Sequence, residues 1–123
     1  MEETTSLTPY FLRAFYDWSM DNGLTPQINV ILNNDPQLSV PRAYANGSQI
    51  TFNIGPYAAR NLELGNDFVK FDATFNGVAE SIQVPVGNIE AVFVRETGFG
   101  IPFKVKLKPD QEPAPRRGFT RVD

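Results

Sequence analysis

The chain contains neither histidine nor cysteine. It therefore lacks the usual general base, a thiol nucleophile and the commonest metal ligands, and it cannot form a disulfide. Carboxylates remain as candidates for acid–base chemistry, but Asp67, Asp72, Glu90 and Glu96 show no spacing that requires a shared site. We therefore expect no catalytic residue, no metal and no cofactor, and a protein that is not an enzyme.

Long apolar runs are also missing. No segment reaches the roughly 18 consecutive apolar residues of a membrane-spanning helix. The first residues have neither the basic region nor the apolar run of a signal peptide. The absence of cysteine suits a reducing compartment. These features predict a soluble, cytoplasmic protein with no membrane partner.

Positive charge is scarce in most of the chain. Residues 1–103 hold five basic and eleven acidic side chains, a net charge of −6, whereas residues 104–123 hold six basic and three acidic ones, a net charge of +3. A surface that binds phosphates is normally basic, so the acidic body argues against a nucleic-acid partner. The basic tail is better suited to meeting a protein surface.

One strongly apolar helix is predicted near the start, from Pro9 to Asp21, with Thr8 as its cap and Asn22-Gly23 at its end. Its apolar and aromatic side chains cover an arc of about 200°, wider than docking on one sheet requires. One interpretation is a helix sunk deep in its own domain. The other is a helix that covers a β core and also meets its copy in a dimer.

After this helix the apolar pattern changes to that of β-strands. Asn46-Gly47 and Asn76-Gly77 both suit tight hairpin turns, because both central positions of a type I′ turn need positive φ. One helix followed by an antiparallel meander predicts a mainly β fold, a small, strongly bent barrel. The predicted strands are Gln27–Leu32, Ser39–Tyr44, Ser48–Ile54, Phe68–Phe75, Glu80–Pro85 and Ile89–Arg95.

The end of the chain differs from the rest in composition. Residues 109–115 are rich in proline and polar side chains and have little to bury, which predicts a flexible linker after a domain spanning residues 1–108. Residues 116–123 mix arginines with Phe119 and Val122. Such a segment is either a disordered end or a short docking peptide.

Two segments suggest a binding groove. In the run from Phe52 to Pro56, Gly55 leaves the backbone accessible and Pro56 ends the strand ladder. Ala73 is a small residue between Phe71 and Phe75 on the same strand face. If the segments lie side by side, they form a groove for an extended peptide. The alternative is that Ala73 merely fits a crowded barrel interior.

The sequence resembles the stringent starvation protein B (SspB) family in several short motifs that occur in the family's order between about residues 7 and 103. The helix signature followed by the Asn-Leu-Glu-Leu and Asn-Asp elements is the specific part. The motifs are Tyr10–Trp18, Asp21-Asn22, Leu24–Pro26, Asn53–Pro56, Asn61–Leu64, Asn66-Asp67 and Arg95-Glu96 with Gly98 and Gly100.

The resemblance implies a dimeric adaptor with an Sm-like barrel that captures ssrA-tagged polypeptides from stalled ribosomes and delivers them to the ClpXP protease. It implies that the tag groove includes Ile54, Gly55, Pro56, Phe71, Asp72, Ala73, Thr74 and Phe75, with Phe103 near its rim. It implies a homodimer contact through Tyr10, Phe11, Leu12, Phe15 and Tyr16.

Family members end in a Leu-Arg-Val-Val motif that docks on the N-terminal domain of ClpX. Arg121-Val122 matches this motif, whereas Thr120 and Asp123 depart from it, and Phe119 would supply the lost apolar anchor. The docking residues implied here are Arg117, Phe119, Arg121 and Val122. The linker is also shorter than is typical of the family. The alternative function is an Sm-like RNA-binding module, since fold alone does not determine function.

Overall fold

The computed structural model describes residues 6–107, which form one α-helix and seven strands in two antiparallel sheets. The order is β2-β1-β6-β7 in one sheet and β3-β4-β5 in the other. This confirms a mainly β fold with an N-terminal helix and is compatible with a strongly bent barrel. The elements are α1 (Thr8–Asp21), β1 (Pro26–Ile31), β2 (Gln49–Asn53), β3 (Arg60–Leu64), β4 (Phe68–Phe75), β5 (Val78–Pro85), β6 (Ile89–Val94) and β7 (Gly100–Pro102), with 3-10 turns at Arg42–Tyr44 and Val86–Asn88.

The predicted linker and docking peptide, with Arg117, Phe119, Arg121 and Val122, lie outside the described residues. Their roles, and the domain boundary after residue 108, stay predictions.

The helix begins differently from the prediction and ends as predicted. Leu7, not Thr8, occupies the N-cap position, and its side chain makes no capping hydrogen bond. At the other end Gly23 has a φ of +64°, and Leu24 N donates to Ser19 O at 2.9 Å. This is a Schellman ending, which needs the left-handed conformation that glycine adopts without strain.

The β4–β5 hairpin follows directly from local sequence. Phe75 pairs with Val78, and the intervening Asn76 and Gly77 have φ values of 51° and 81°, the positive values that a type I′ turn requires. The other predicted turn is displaced by one residue. Asn46 and Gln49 pair with each other, so the central residues are Gly47 and Ser48.

The predicted strand Ser39–Tyr44 is wrong. Ser39 makes only one isolated bridge, to Gln83, and Arg42–Tyr44 form a 3-10 turn. Pro41 explains the difference, because proline has no N–H group to continue a ladder.

Two short strands were not predicted, β3 and β7. In β3, Asn61 has a φ of 56° and the pairing with β4 shifts register between Arg60 and Glu63, so the regular alternation of a strand is lost. β7 has only three residues and ends at a proline. β3 is a strand because it pairs with β4, and β7 because it pairs with β6, not because of a strand pattern in their own sequences.

The apolar core lies between the helix and the two sheets. Leu12 and Phe15 of α1 pack with the inward-facing residues of the strands, among them Ile28, Val69 and Val92. In β4 the buried positions alternate with solvent-facing ones. No helix within residues 6–107 has the length and apolar character needed to cross a membrane.

Candidate functional site

A groove lies between β2 and the C-terminal half of β4, and its volume is about 360 Å³. We call it the β2–β4 groove. Ala73 and its same-face neighbours on β4 line one side, and β2 lines the other. The residues around the groove are Thr51, Phe52, Asn53, Tyr57, Ala58, Arg60, Phe71, Ala73, Thr74 and Phe75.

Packed aromatic rings lie beneath the groove. The ring of Phe52 meets that of Phe71 edge-on, with centroids 5.5 Å apart, and that of Phe75 at 6.2 Å. Ala73 has only a methyl group between these large neighbours, and 7% of its surface is exposed. A larger side chain at position 73 would therefore occupy part of the groove.

Both sides of the groove present a strand edge. β2 is the outermost strand of its sheet. Along the part of β4 that the structure describes, pairing with β3 reaches only to Asp72, so Ala73–Phe75 are paired with β5 alone. Unpaired edges offer backbone N–H and C=O groups to an added strand. The groove can thus hold an extended peptide by main-chain hydrogen bonds.

A second cavity of about 320 Å³ adjoins the groove, between the end of α1 and the turn after β2. We call it the helix-end cavity. The turn is fixed locally, because Gly55 N donates to Asn53 Oδ1 at 2.8 Å. The lining residues are Met20, Gly23, Leu24, Thr25, Asn53, Gly55, Pro56, Tyr57, Ala58 and Arg95.

The structure brings together part of the predicted peptide site. Phe71, Ala73, Thr74 and Phe75 line the β2–β4 groove, whereas Gly55 and Pro56 line the helix-end cavity. The side chain of Ile54 is fully buried in the core and lines neither space.

Asp72 lies on the opposite face of β4 from Ala73. Its carboxylate accepts hydrogen bonds from Asn61 Nδ2 at 2.9 Å and Ser81 Oγ at 3.0 Å. These bonds stabilise the charged form, so they hold the pKa of Asp72 below its usual value, with Arg60 contributing a smaller effect. Its side chain organises the outer face of the sheet instead of the groove.

Phe103 is also absent from the groove lining. It follows β7, at the opposite edge of the four-stranded sheet from β2, and its N–H donates to Glu90 O at 2.7 Å. There it shares a cleft with Phe11 and the start of α1. Phe103 is not among the residues that line the β2–β4 groove, and its position near the groove rim stays a prediction.

Sequence reasoning missed several residues around the site, above all Tyr57. Its side chain is fully exposed, at 104% of the reference area, and it borders both cavities. An aromatic residue directly after Gly55-Pro56 in a turn was the available signal. Arg60 was missed because β3, which it begins, was not predicted.

The helix residues predicted for a dimer contact divide into two groups. Leu12 and Phe15 are buried in their own chain, whereas 45% of Tyr10 and 45% of Phe11 is exposed. Tyr16 is half-buried, and burial, with a smaller effect from the charge of Asp17, raises its pKa.

An additional exposed aromatic pair lies near this helix face. The rings of Trp18 and Phe99 are 5.7 Å apart, and 42% and 60% of these residues are exposed. The helix therefore carries more apolar surface than its own core covers.

Comparison with known proteins identifies relatives of this sequence. The sequence profile described as stringent starvation protein B matches residues 6–119. The stringent starvation protein B homolog of Haemophilus influenzae is 38% identical over 111 residues, which cover 85% of this chain and 73% of that protein. The profile match takes in the helix, both sheets and both cavities, and the chain therefore belongs to the stringent starvation protein B family.

Proposed function

We propose that this protein is a non-enzymatic adaptor whose β2–β4 groove binds ssrA-tagged and similar unstructured polypeptides. One observation carries the proposal: the groove at Ala73 lies between two strand edges with unpaired backbone groups. An extended chain fits such a slot because main-chain hydrogen bonds supply affinity and side-chain pockets supply specificity. Family membership supports a function of the same type.

The direct test is fluorescence anisotropy of a fluorescein-labelled ssrA peptide titrated with the folded protein. Saturable binding supports the proposal. If the folded protein does not bind the peptide, the adaptor function is overturned, and RNA oligomers become the next ligands to measure.

We further propose that the C-terminal peptide around Phe119 and Arg121-Val122 tethers the loaded adaptor to the ClpX unfoldase. The path of the chain up to residue 107 supports separate roles for the groove, which binds the peptide, and the C-terminal peptide, which docks on ClpX. Lys106 N donates to Gly87 O at 2.8 Å, and Val86 N donates to Asp67 O at 3.0 Å. The chain is therefore beside the start of β4 as it approaches residue 107. Ala73 is five strand residues further along β4, or about 17 Å at a rise of about 3.3 Å per residue.

Deleting residues 116–123 is expected to leave the peptide affinity of the groove unchanged within about twofold and to abolish docking on ClpX, because the proposal assigns peptide binding to the groove and ClpX docking to the tail. Anisotropy measures the first quantity, and binding to the isolated ClpX N-terminal domain by calorimetry measures the second. Loss of both activities would show that the tail belongs to the groove. Unchanged ClpX binding would refute the tether.

We also propose that the exposed face of α1 joins two copies in a homodimer, through Tyr10, Phe11 and Tyr16. The half-exposed rings of Tyr10 and Phe11 are the observation in its favour. Phe11→Asp should convert the dimer to a monomer of 13.7 kDa in light scattering, because a charge would be buried without a partner.

Val78→Asp is the matched control for the dimer, since 56% of Val78 is exposed and it belongs to β5, not to the helix. This variant should keep the wild-type mass. A monomeric wild-type protein, or a Phe11→Asp variant that stays dimeric, would contradict the proposed interface.

A further inference from the structure

The β2–β4 groove and the helix-end cavity form one continuous path around Tyr57. Asn53, Tyr57 and Ala58 border both spaces. Tyr57 is fully exposed, so its ring is free to pack on a chain that passes from one space to the other. A peptide that fills the groove therefore has a second cavity of about 320 Å³ within reach of its next residues.

The charges along this path are opposite to those of the protein as a whole. Residues 1–103 hold eleven acidic and five basic side chains. Nevertheless, neither space has a carboxylate among its described lining residues, while Arg60 lines the groove and Arg95 lines the helix-end cavity. The lining is thus complementary to an acidic ligand.

Arg95 is held less firmly than other arginines of the domain. Arg13 and Arg42 donate to the carbonyl oxygens of Leu64 and Asn33, at 2.8 and 2.7 Å. Within residues 6–107 the guanidinium of Arg95 is paired only with Glu96, at 3.8 Å, and 61% of the Arg95 side chain is exposed. This separation exceeds a hydrogen bond, so the planar donors of Arg95 remain available to a ligand.

Glu96 is already hydrogen-bonded to Thr25. One of its oxygens accepts from Thr25 N at 2.9 Å, and the other accepts from Thr25 Oγ1 at 2.7 Å. These two bonds hold the pKa of Glu96 below its usual value. Glu96 therefore positions the loop after α1, and it competes only weakly for the guanidinium of Arg95.

We propose that a peptide bound in the β2–β4 groove continues past Tyr57 into the helix-end cavity, where Arg95 binds an aspartate or glutamate side chain of that peptide. The inference rests on the proposed peptide-binding function and adds a specificity-determining residue to it. Arg95 selects peptides that carry a carboxylate at one fixed distance from the peptide residue that lies against Ala73.

A double-mutant cycle between protein and peptide tests this assignment. The probes are the labelled ssrA peptide and versions in which each acidic side chain is replaced in turn by its amide, with one further version amidated at the C-terminus. Each is titrated against wild type, Arg95→Gln and the control Arg42→Gln, which removes the same charge beside Asn33. Thermal unfolding of both variants verifies that they are folded.

We expect Arg95→Gln to weaken the unmodified peptide about three- to tenfold, the range for a partly exposed charge-assisted pair. One amide replacement should weaken binding to wild type by the same factor and leave binding to Arg95→Gln unchanged. The difference in affinity for the unmodified peptide between wild type and Arg95→Gln should shrink at high salt. Arg42→Gln should behave as wild type.

Three results would overturn the proposal. If the peptide binds and Arg95→Gln binds it equally well, the Arg95 assignment fails while the groove stands. If only C-terminal amidation couples to Arg95, the carboxylate is the chain terminus and the side-chain assignment is wrong. If wild type does not bind the peptide at all, the proposed function fails, and this inference fails with it.

Discussion

Ala73→Gln is expected to weaken ssrA-peptide binding by about a hundredfold or more, the equivalent of about 3 kcal/mol. The added side chain would occupy the slot between the rings of Phe71 and Phe75 that a peptide side chain needs. Because Ala73 borders a space of about 360 Å³, the extra atoms can extend into the groove instead of displacing the core. The fold should remain intact.

Ala79→Gln is the matched control for this result. Ala79 pairs with Thr74 across the β4–β5 hairpin but is exposed and lies outside the groove lining. It should bind the peptide with wild-type affinity in the same anisotropy titration. If Ala73→Gln binds as well as Ala79→Gln while both unfold at the wild-type temperature, the groove assignment is wrong.

Gly100→Ala is expected to lower the free energy of unfolding by about 3 kcal/mol, and the melting temperature by about 15 °C. A Cβ on Gly100 would lie 2.2 Å from the carbonyl oxygen of Val92 and 2.8 Å from Cα of Phe93. Both atoms belong to the backbone of β6, which is held on its other side by β1. β6 cannot retreat, so β7 must shift and give up its pairing.

Gly65→Ala provides the comparison for Gly100→Ala. Its Cβ would meet one atom, the carbonyl oxygen of Phe68, at 3.1 Å, and its φ is not positive. A neighbour at that distance needs to move by only a few tenths of an ångström, so the expected loss is about 1 kcal/mol or less. Equal melting temperatures for the two variants, measured by circular dichroism, would contradict the tight β6–β7 contact.

The elements that were predicted correctly are those in which local rules and tertiary packing agree. In β4 the alternation of Val69, Phe71 and Ala73 with polar neighbours specifies a strand with one buried face. Asn76-Gly77 specifies the following turn, because its backbone angles suit few other residue pairs. The end of α1 follows for the same reason from Gly23.

The site was predicted only in part because its boundaries depend on which strands are adjacent. The alternation of β4 already places Asp72 on the face opposite to Ala73, but nothing in the order Phe71, Asp72, Ala73 shows that Asn61, a residue of the unpredicted strand β3, would bind it there. Likewise, Phe103 lines a cleft with Phe11 and not the groove, because β7 joins the sheet at the edge opposite β2. Strand order is a long-range property that no local pattern encodes.

Local sequence is enough to predict the fold class, the helix with its excess apolar surface, the strands with regular alternation and the small residue at Ala73. These features depend on backbone preferences and side-chain periodicity, which act over a few residues. The folded structure is needed to see that β2 and β4 leave their edges unpaired beside each other, that Tyr57 borders two cavities and that Arg95 lines the second one. Those relations depend on the packing of two sheets around one core, which joins residues far apart in the chain.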